Sequence, residues 1–550
     1  MARRIRWQIV IAVLSTLVVA GLLGRLALST ASVSSPLAGG AYVEAVLGAP
    51  AQPIPLLNNP VSDPVGRDLG TLLFDGLVRI GADGLIEPAL AASYEIDASG
   101  TTYLFNLRPD ARWHDGRPVT ADDVVFTLRA LQVLDQPGEP QLAAAWIDAL
   151  VDRIDADTVR VTLAEPYAPF LSAARVPILP AHLLAGTPPA QWPESPYAGQ
   201  LVGTGPYRLV ELREDRAVLE ANEAYFGGRP YIDRVELRFI ATAAAAQAAL
   251  TRGDVTAFGA TADSSSAELP ATLSVSAVPL DAYATLSFNL REGPLAQQGL
   301  RRALAYGLSK DALIERALGG WAAPIDTPIL PGSWAYTPEA RWYEADPAAA
   351  QALLADLGYE PGPDGALARD GEPLAIELLV DGEPMRRAAA AEEARQWGAL
   401  GVAVQVVELA APELQQRLRD GSFAAAIHGW QRLGPDPDPF LLWHSAGPLN
   451  YAGLADEQID ALIESAHADA ELAARSADYA AFQQRWIELA PAIQLYQPLY
   501  RFAASAELGG TGLDDPDSAI SRLLFGPEDR YRAVTRWYTD SYREIDGGLR

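Results

Sequence analysis

The stretch "PLAIELLVDGEPMRRAAAAEEARQWGALGVAVQVVELAAPELQQRLRDGSFAAAIHGW", Pro373–Trp430, decides the fold. The runs "PLAIELLV", "VAVQVVEL" and "FAAAIHGW" read as strands, and "RRAAAAEEARQWGALG" and "APELQQRLRDG" between them read as helices. Such βαβαβ alternation requires right-handed crossovers and predicts an open, largely parallel sheet covered by helices. Ligands of open α/β sheets sit beyond the carboxyl ends of the strands. Trp430 closes the third strand, so the following loop, within "GWQRLGPDPDPFLLWHS" (Gly429–Ser445), is placed at the binding end.

The same rhythm extends toward the N-terminus. "DAYATLSFNL" reads as a strand, and "PLAQQGLRRALAYGLSKDALIERALGG" as one or two helices stopped at Gly319-Gly320. In "DPAAAQALLADLGY", Asp346 caps a helix, Pro347 takes its first position and Gly358 lies past its end. Before residue 240 the pattern is different: "AYVEAVLG", "TYLFNLR", "TVRVTLA", "YRLVEL", "AVLEAN" and "RVELRFI" are strand-like runs separated by turn signals. One helix is marked there by "TADDVVFTLRAL", with Thr120 as N-cap and Asp123 at the third position.

At 550 residues and 49% hydrophobic, the chain can build two or three domains with full cores. Its net charge of -28 argues against a nucleic-acid partner, since phosphate backbones are bound through basic surface. There is no cysteine, which excludes disulfides, thiolate metal sites and a lipid-modified N-terminal cysteine. Arg3, Arg4 and Arg6 precede an uncharged run from Trp7 to Gly24, with Ser29-x-Ala31 beyond it. Residues 1–31 therefore read as a signal peptide cleaved near Ala31, or as an N-terminal membrane anchor, and either places the rest outside the cytoplasm.

In the loop after Trp430, Asp436 and Asp438 alternate with Pro435, Pro437 and Pro439. A calcium loop fails, because the fifth and twelfth positions from Asp436 are Phe440 and Gly447. Zinc is not indicated either, because the histidines (His114, His182, His428, His444, His467) are scattered. No G-x-S-x-G occurs, and "GTGPYR" (Gly203–Arg208) is a turn into a strand rather than a dinucleotide fingerprint. No cofactor and no metal are expected. Proline disfavours helix in the residue before it, so both aspartates are expected to be extended and to face a cleft, where they would attract a cationic or hydroxyl-rich ligand. Trp430, Trp443, Tyr451 and Trp334 would give it flat apolar walls. An exported carbohydrate hydrolase using these carboxylates is the alternative.

Several blocks together resemble the extracellular solute-binding proteins of ABC importers, the class that captures oligopeptides, dipeptides and nickel complexes. They are "LLFDGLVRIGADGLIEPALAASYEIDASGTTYLFNLRPDARWHDGRPVTADDVVFTL" (Leu72–Leu128), "GTGPYRLVEL", "LSFNL" followed by "LRRALAYGLSKDALI", "DPAAAQALLADLGY" and the Trp430 loop, in that order. The resemblance implies a periplasmic-binding-protein-like α/β fold with two hinged lobes and a subdomain on the first. Lobe I would comprise 40–61, 205–278 and 498–550, its subdomain 62–204, and lobe II 279–497. It implies no catalysis: a monomer captures a peptide or similar polar solute extracytoplasmically and delivers it to a membrane permease. Ligand contacts are expected from Asp63, Trp430, Asp436, Asp438, Trp443, His444, Asn450, Tyr451 and, near the second crossover, Tyr496. Peptide binders carry an aspartate three residues after the matching tryptophan. Leu433 stands there in this chain, a departure bearing on peptide specificity.

Overall fold

The computed structural model describes residues 32–59, 61–134, 143–260, 272–363 and 365–545, together with Thr16 and Val19. The expectations for residues 1–31 lie outside the described residues apart from those two. The first strand of the main sheet, β1 (Ala41–Leu47), leads to helix α1 (Pro64–Leu73). After a two-stranded pair of Val78–Ile80 with Ile86–Pro88 come four more strands, β2 (Ala91–Ile96), β3 (Thr102–Leu107), β4 (Leu150–Arg153) and β5 (Thr158–Thr162), with helix α2 (Ala121–Val133) between β3 and β4. They form an antiparallel sheet of order β2-β3-β5-β4. Helix α2 begins as read, with the Asp123 carboxylate accepting the Thr120 N–H at 2.9 Å.

The chain then adds β6 (Tyr207–Leu212), β7 (Arg216–Ala221), β8 (Arg234–Ile240), β9 (Ala257–Ala260), β10 (Leu273–Pro279) and β11 (Ala282–Phe288). Helices α3 (Gln298–Tyr306), α4 (Lys310–Leu318) and α5 (Pro347–Asp356) follow, α4 ending at Gly319 in the left-handed conformation. The deciding stretch folds as β12 (Ala375–Asp381), α6 (Pro384–Ala399), β13 (Ala403–Leu409), α7 (Ala411–Asp420) and β14 (Ala425–Gln431). Helices α8 (Glu457–Ala468) and α9 (Leu472–Leu489) lead to the long strand β15 (Ala492–Ser505).

Strands β1 and β6–β15, with a short strand Ala322–Pro324 on β15, form one twelve-stranded sheet with the path β13-β12-β14-β11-β15-β9-β1-β8-β7-β6. The parallel pairings expected from the alternation occur at β13-β12-β14; further parallel pairs, not read from the sequence, occur at β9-β1-β8, and the remaining pairs are antiparallel, so the sheet is mixed. Strand β15 joins the two halves, pairing with β11 through residues 492–496 and with β10 through residues 499–505.

Two separate cores flank this junction. One gathers Tyr42, Leu69, Phe105, Trp113, Trp146, Leu237 and Trp537, and the other Leu286, Leu304, Leu378, Trp397, Ile427 and Trp486. The chain passes between them twice, at Leu280–Asp281 and at Gln497–Pro498. These passages are tied together by Leu280 N–H to the Pro498 carbonyl at 3.0 Å and by Gln497 Nε2 to the Leu280 carbonyl at 2.8 Å. Two adjacent strands of connection on one side thus join the two lobes of the molecule. Among the described residues no helix is long and apolar enough to cross a membrane.

Candidate functional site

Trp430 is the penultimate residue of β14, at the end that faces the other lobe across a cavity. Its ring stacks on Tyr451, with centroids 5.7 Å apart, and meets His428 edge-on at 5.6 Å. Burial pushes His428 down to about 3, with Arg386 acting in the same direction, so the ring is neutral and is held by Ser287 Oγ at 2.9 Å. Two cavities adjoin at Trp430 and Gln431. The smaller, about 540 Å³, is lined by the second lobe and the crossovers and includes Tyr496, Tyr451 and the Arg386–Asp381 ion pair.

The larger cavity, about 800 Å³, is lined from both lobes. One wall brings Tyr167 and Arg175 with Arg67 of α1 and Glu528, and the opposite wall brings Trp430, Leu433, Asp436, Asp438 and Leu441. Only a space of this kind gains contacts from both sides when lobes close, so it is the candidate ligand site.

The cleft loop is fixed from the other lobe and from the hinge. Arg432, at φ 57°, forms a bidentate pair with Glu528 at 2.8 and 2.9 Å, and Glu528 also takes Arg67 Nε at 3.1 Å. Burial alone would raise the Glu528 carboxyl, but Arg432 and Arg67 outweigh it and hold it down at about 2. Asp281, at the crossover, accepts Gly434 N–H on its carboxylate and Arg432 N–H on its carbonyl, both at 2.7 Å. Burial pushes this carboxyl up to about 7 despite the Gly434 bond.

Each expected ligand aspartate has an internal partner. Asp436 holds Arg475 bidentately at 2.8 and 2.6 Å, and Asp438 accepts Phe440 N–H and meets His467 Nδ1, both at 3.0 Å. Their backbone turns at Pro437, with Asp438 N–H on the Asp436 carbonyl at 3.0 Å, instead of running straight. Asp63, 5% exposed, is the N-cap of α1: its carboxylate accepts Gly66 N–H at 2.9 Å and Gln52 N–H at 2.6 Å.

Trp443, His444 and Asn450 are all buried and line neither of these two cavities. Trp443 packs on Trp486 in the second core, His444 stacks on Phe440 and meets Glu464, and Asn450 bonds four backbone groups of its own loop. Of the expected residues, then, Trp430, Tyr451 and Tyr496 gather at the smaller cavity, and Trp430, Asp436 and Asp438 at the larger.

Arg67, Tyr167, Arg175, Arg432 and Glu528 were not read from sequence. Arg67 follows the Asp63-Pro64 start by one helical turn, which could have pointed to it; Glu528 lies in a 3-10 segment, Pro527–Arg536, with no periodic signal.

Residues 86–450 match the family described as bacterial extracellular solute-binding proteins, family 5. The chain belongs to this family of ABC-importer binding proteins. It is 28% identical over 494 residues to the oligopeptide-binding protein AppA of Bacillus subtilis, covering 87% of this chain and 90% of the relative. It is also 28% identical over 403 residues to the dipeptide-binding protein of Escherichia coli, covering 67% and 72%. The solved structure of Bacillus subtilis AppA in complex with a nonapeptide superposes with a TM-score of 0.65 at 25% identity, over 92% of this chain and 99% of that one. The unliganded open form of the murein tripeptide-binding protein MppA, at 22% identity, shares the fold with a TM-score of 0.74, over 92% and 98%. The family consists of binding proteins, so the hydrolase alternative is set aside. Asp436 and Asp438, engaged by Arg475 and His467, agree with that.

Proposed function

We propose that this chain is the extracytoplasmic binding component of an ABC importer: a monomer, exported or anchored through residues 1–31, that takes a peptide or similar small polar solute between its lobes and presents it to a permease. In this reading residues 279–497 form the second lobe, a division supported by the crossings at Leu280–Asp281 and Gln497–Pro498, and residues 62–204 are a subdomain of the first. The observation that carries the reading is the cavity of about 800 Å³ lined from both lobes at the carboxyl end of β14, within the roughly 300–1,000 Å³ of small-molecule sites. The oligopeptide and dipeptide binders among the relatives favour a peptide. Leu433, packed with Trp430 and Phe525 against Leu330 and Leu523, makes that part of the wall apolar and selects an uncharged ligand group there. The test is mass spectrometry of small molecules released by denaturing the purified protein. One molecule per chain, released unchanged, is expected, and a peptide specifically. Chains that carry nothing and retain nothing from a peptide pool would defeat the peptide assignment.

A further inference from the structure

The lobes meet a second time, on the side of the cavity away from the crossovers. Helix α8 ends at Ala468, and the carbonyls of its last turn need partners. Two are satisfied within the second lobe: Ser465 by Asp469 N–H and Ala466 by Arg475 Nε at 2.8 Å. The next one, His467, accepts the N–H of Ala168, 3.0 Å away in the other lobe. Beside this bond the rings of Tyr167 and His467 pack with centroids 4.9 Å apart. Tyr167 is held from behind, its carbonyl accepting Tyr103 Oη–H at 3.2 Å, so the contact is made between braced elements.

The same helix end receives both aspartates of the cleft loop, Asp436 through Arg475 and Asp438 through the His467 ring. Cavity wall and interlobe contact are thus one connected unit. We propose that the carboxyl end of α8, through the His467 carbonyl and ring against Tyr167-Ala168, is a latch that holds the lobes shut, and that the Asp436–Asp438 loop couples the cavity wall to it. The proposal rests on the reading of this cleft as the solute site and adds its regulation. The latch is small, one backbone bond and one ring contact, so it biases closure without making it irreversible.

The absence of cysteine permits a clean measurement. Spin labels at Ile147→Cys and Leu472→Cys, 63% and 42% exposed and on opposite sides of the cleft, report the interlobe distance by pulsed electron resonance in protein freed of bound solute by denaturation and refolding. His467→Ala, which removes the ring and keeps the backbone carbonyl, is expected to lower the ratio of short to long distances about fivefold to tenfold, the worth of one ring contact. Tyr167→Ala, from the other lobe, should do the same, while Tyr167→Phe, which keeps the ring, should match the parent, all with unchanged melting. Identical distance distributions in the parent and both alanine variants would overturn the latch. Because no solute is used, that outcome leaves the solute-binding reading to its own test.

Discussion

At the scale of single residues, the aspartates of the proline-rich loop carry the main revision. Their position after a strand end and their alternation with proline were legible in the sequence. Their partners were not, because Arg475 and His467 lie 39 and 29 residues away and belong to helices whose ends no local pattern brings to this loop. Burial pushes the Asp436 carboxyl up and Arg475 counters it, the opposed influences of an interior ion pair. With Arg475 6% exposed, Asp436→Asn leaves an arginine in the interior with its charge unmatched. Removing one partner of a buried pair costs about 3–5 kcal/mol, so this variant should lower the unfolding free energy of the second lobe on that scale. Denaturant titration checks it, and a loss below ~1 kcal/mol would show that the pair is not needed. Asp63 teaches the same lesson: an aspartate before Pro64 is as well suited to capping a helix as to touching a ligand, and the cap at 2.9 Å decides it.

Among the elements, those with a repeating pattern were the readable ones. Strand β14, helices α6 and α7 and the capped starts of α2 and α5 lie where periodicity and capping chemistry put them. The 3-10 segment Pro527–Arg536 has no such pattern, yet it supplies the wall residue that grips Arg432 and Arg67. Glu528 is held below its ordinary value of 4.5, at about 2, so its contribution to stability is present in full above pH 4.5 and is lost as pH falls toward 2. Glu528→Gln should therefore destabilise the protein by on the order of 3 kcal/mol at neutral pH, the worth of that depression. Its deficit against the parent should vanish on acidification through that window. Equal stabilities at pH 7, or a deficit that persists at pH 2, would remove the ion pair from the account.

For the whole molecule, the parallel α/β stretch around residues 373–430 followed from the order of strand and helix runs, and the two-lobed architecture from the resemblance that the sequence blocks carry. The mixed character of the sheet did not, because β15 serves both lobes and its fourteen residues give no sign of where one partner replaces another. Nor could sequence show that residues 167 and 467 meet, since that contact exists only when two separately folded cores face each other. The central claim is that a solute is held between these cores and touched by both. Hydrogen exchange read by mass spectrometry, with and without the solute recovered from the protein, tests it most directly. Protection should rise together in residues 163–175 of one wall and 430–442 of the other, whereas protection confined to one lobe, or appearing away from both walls, would contradict it.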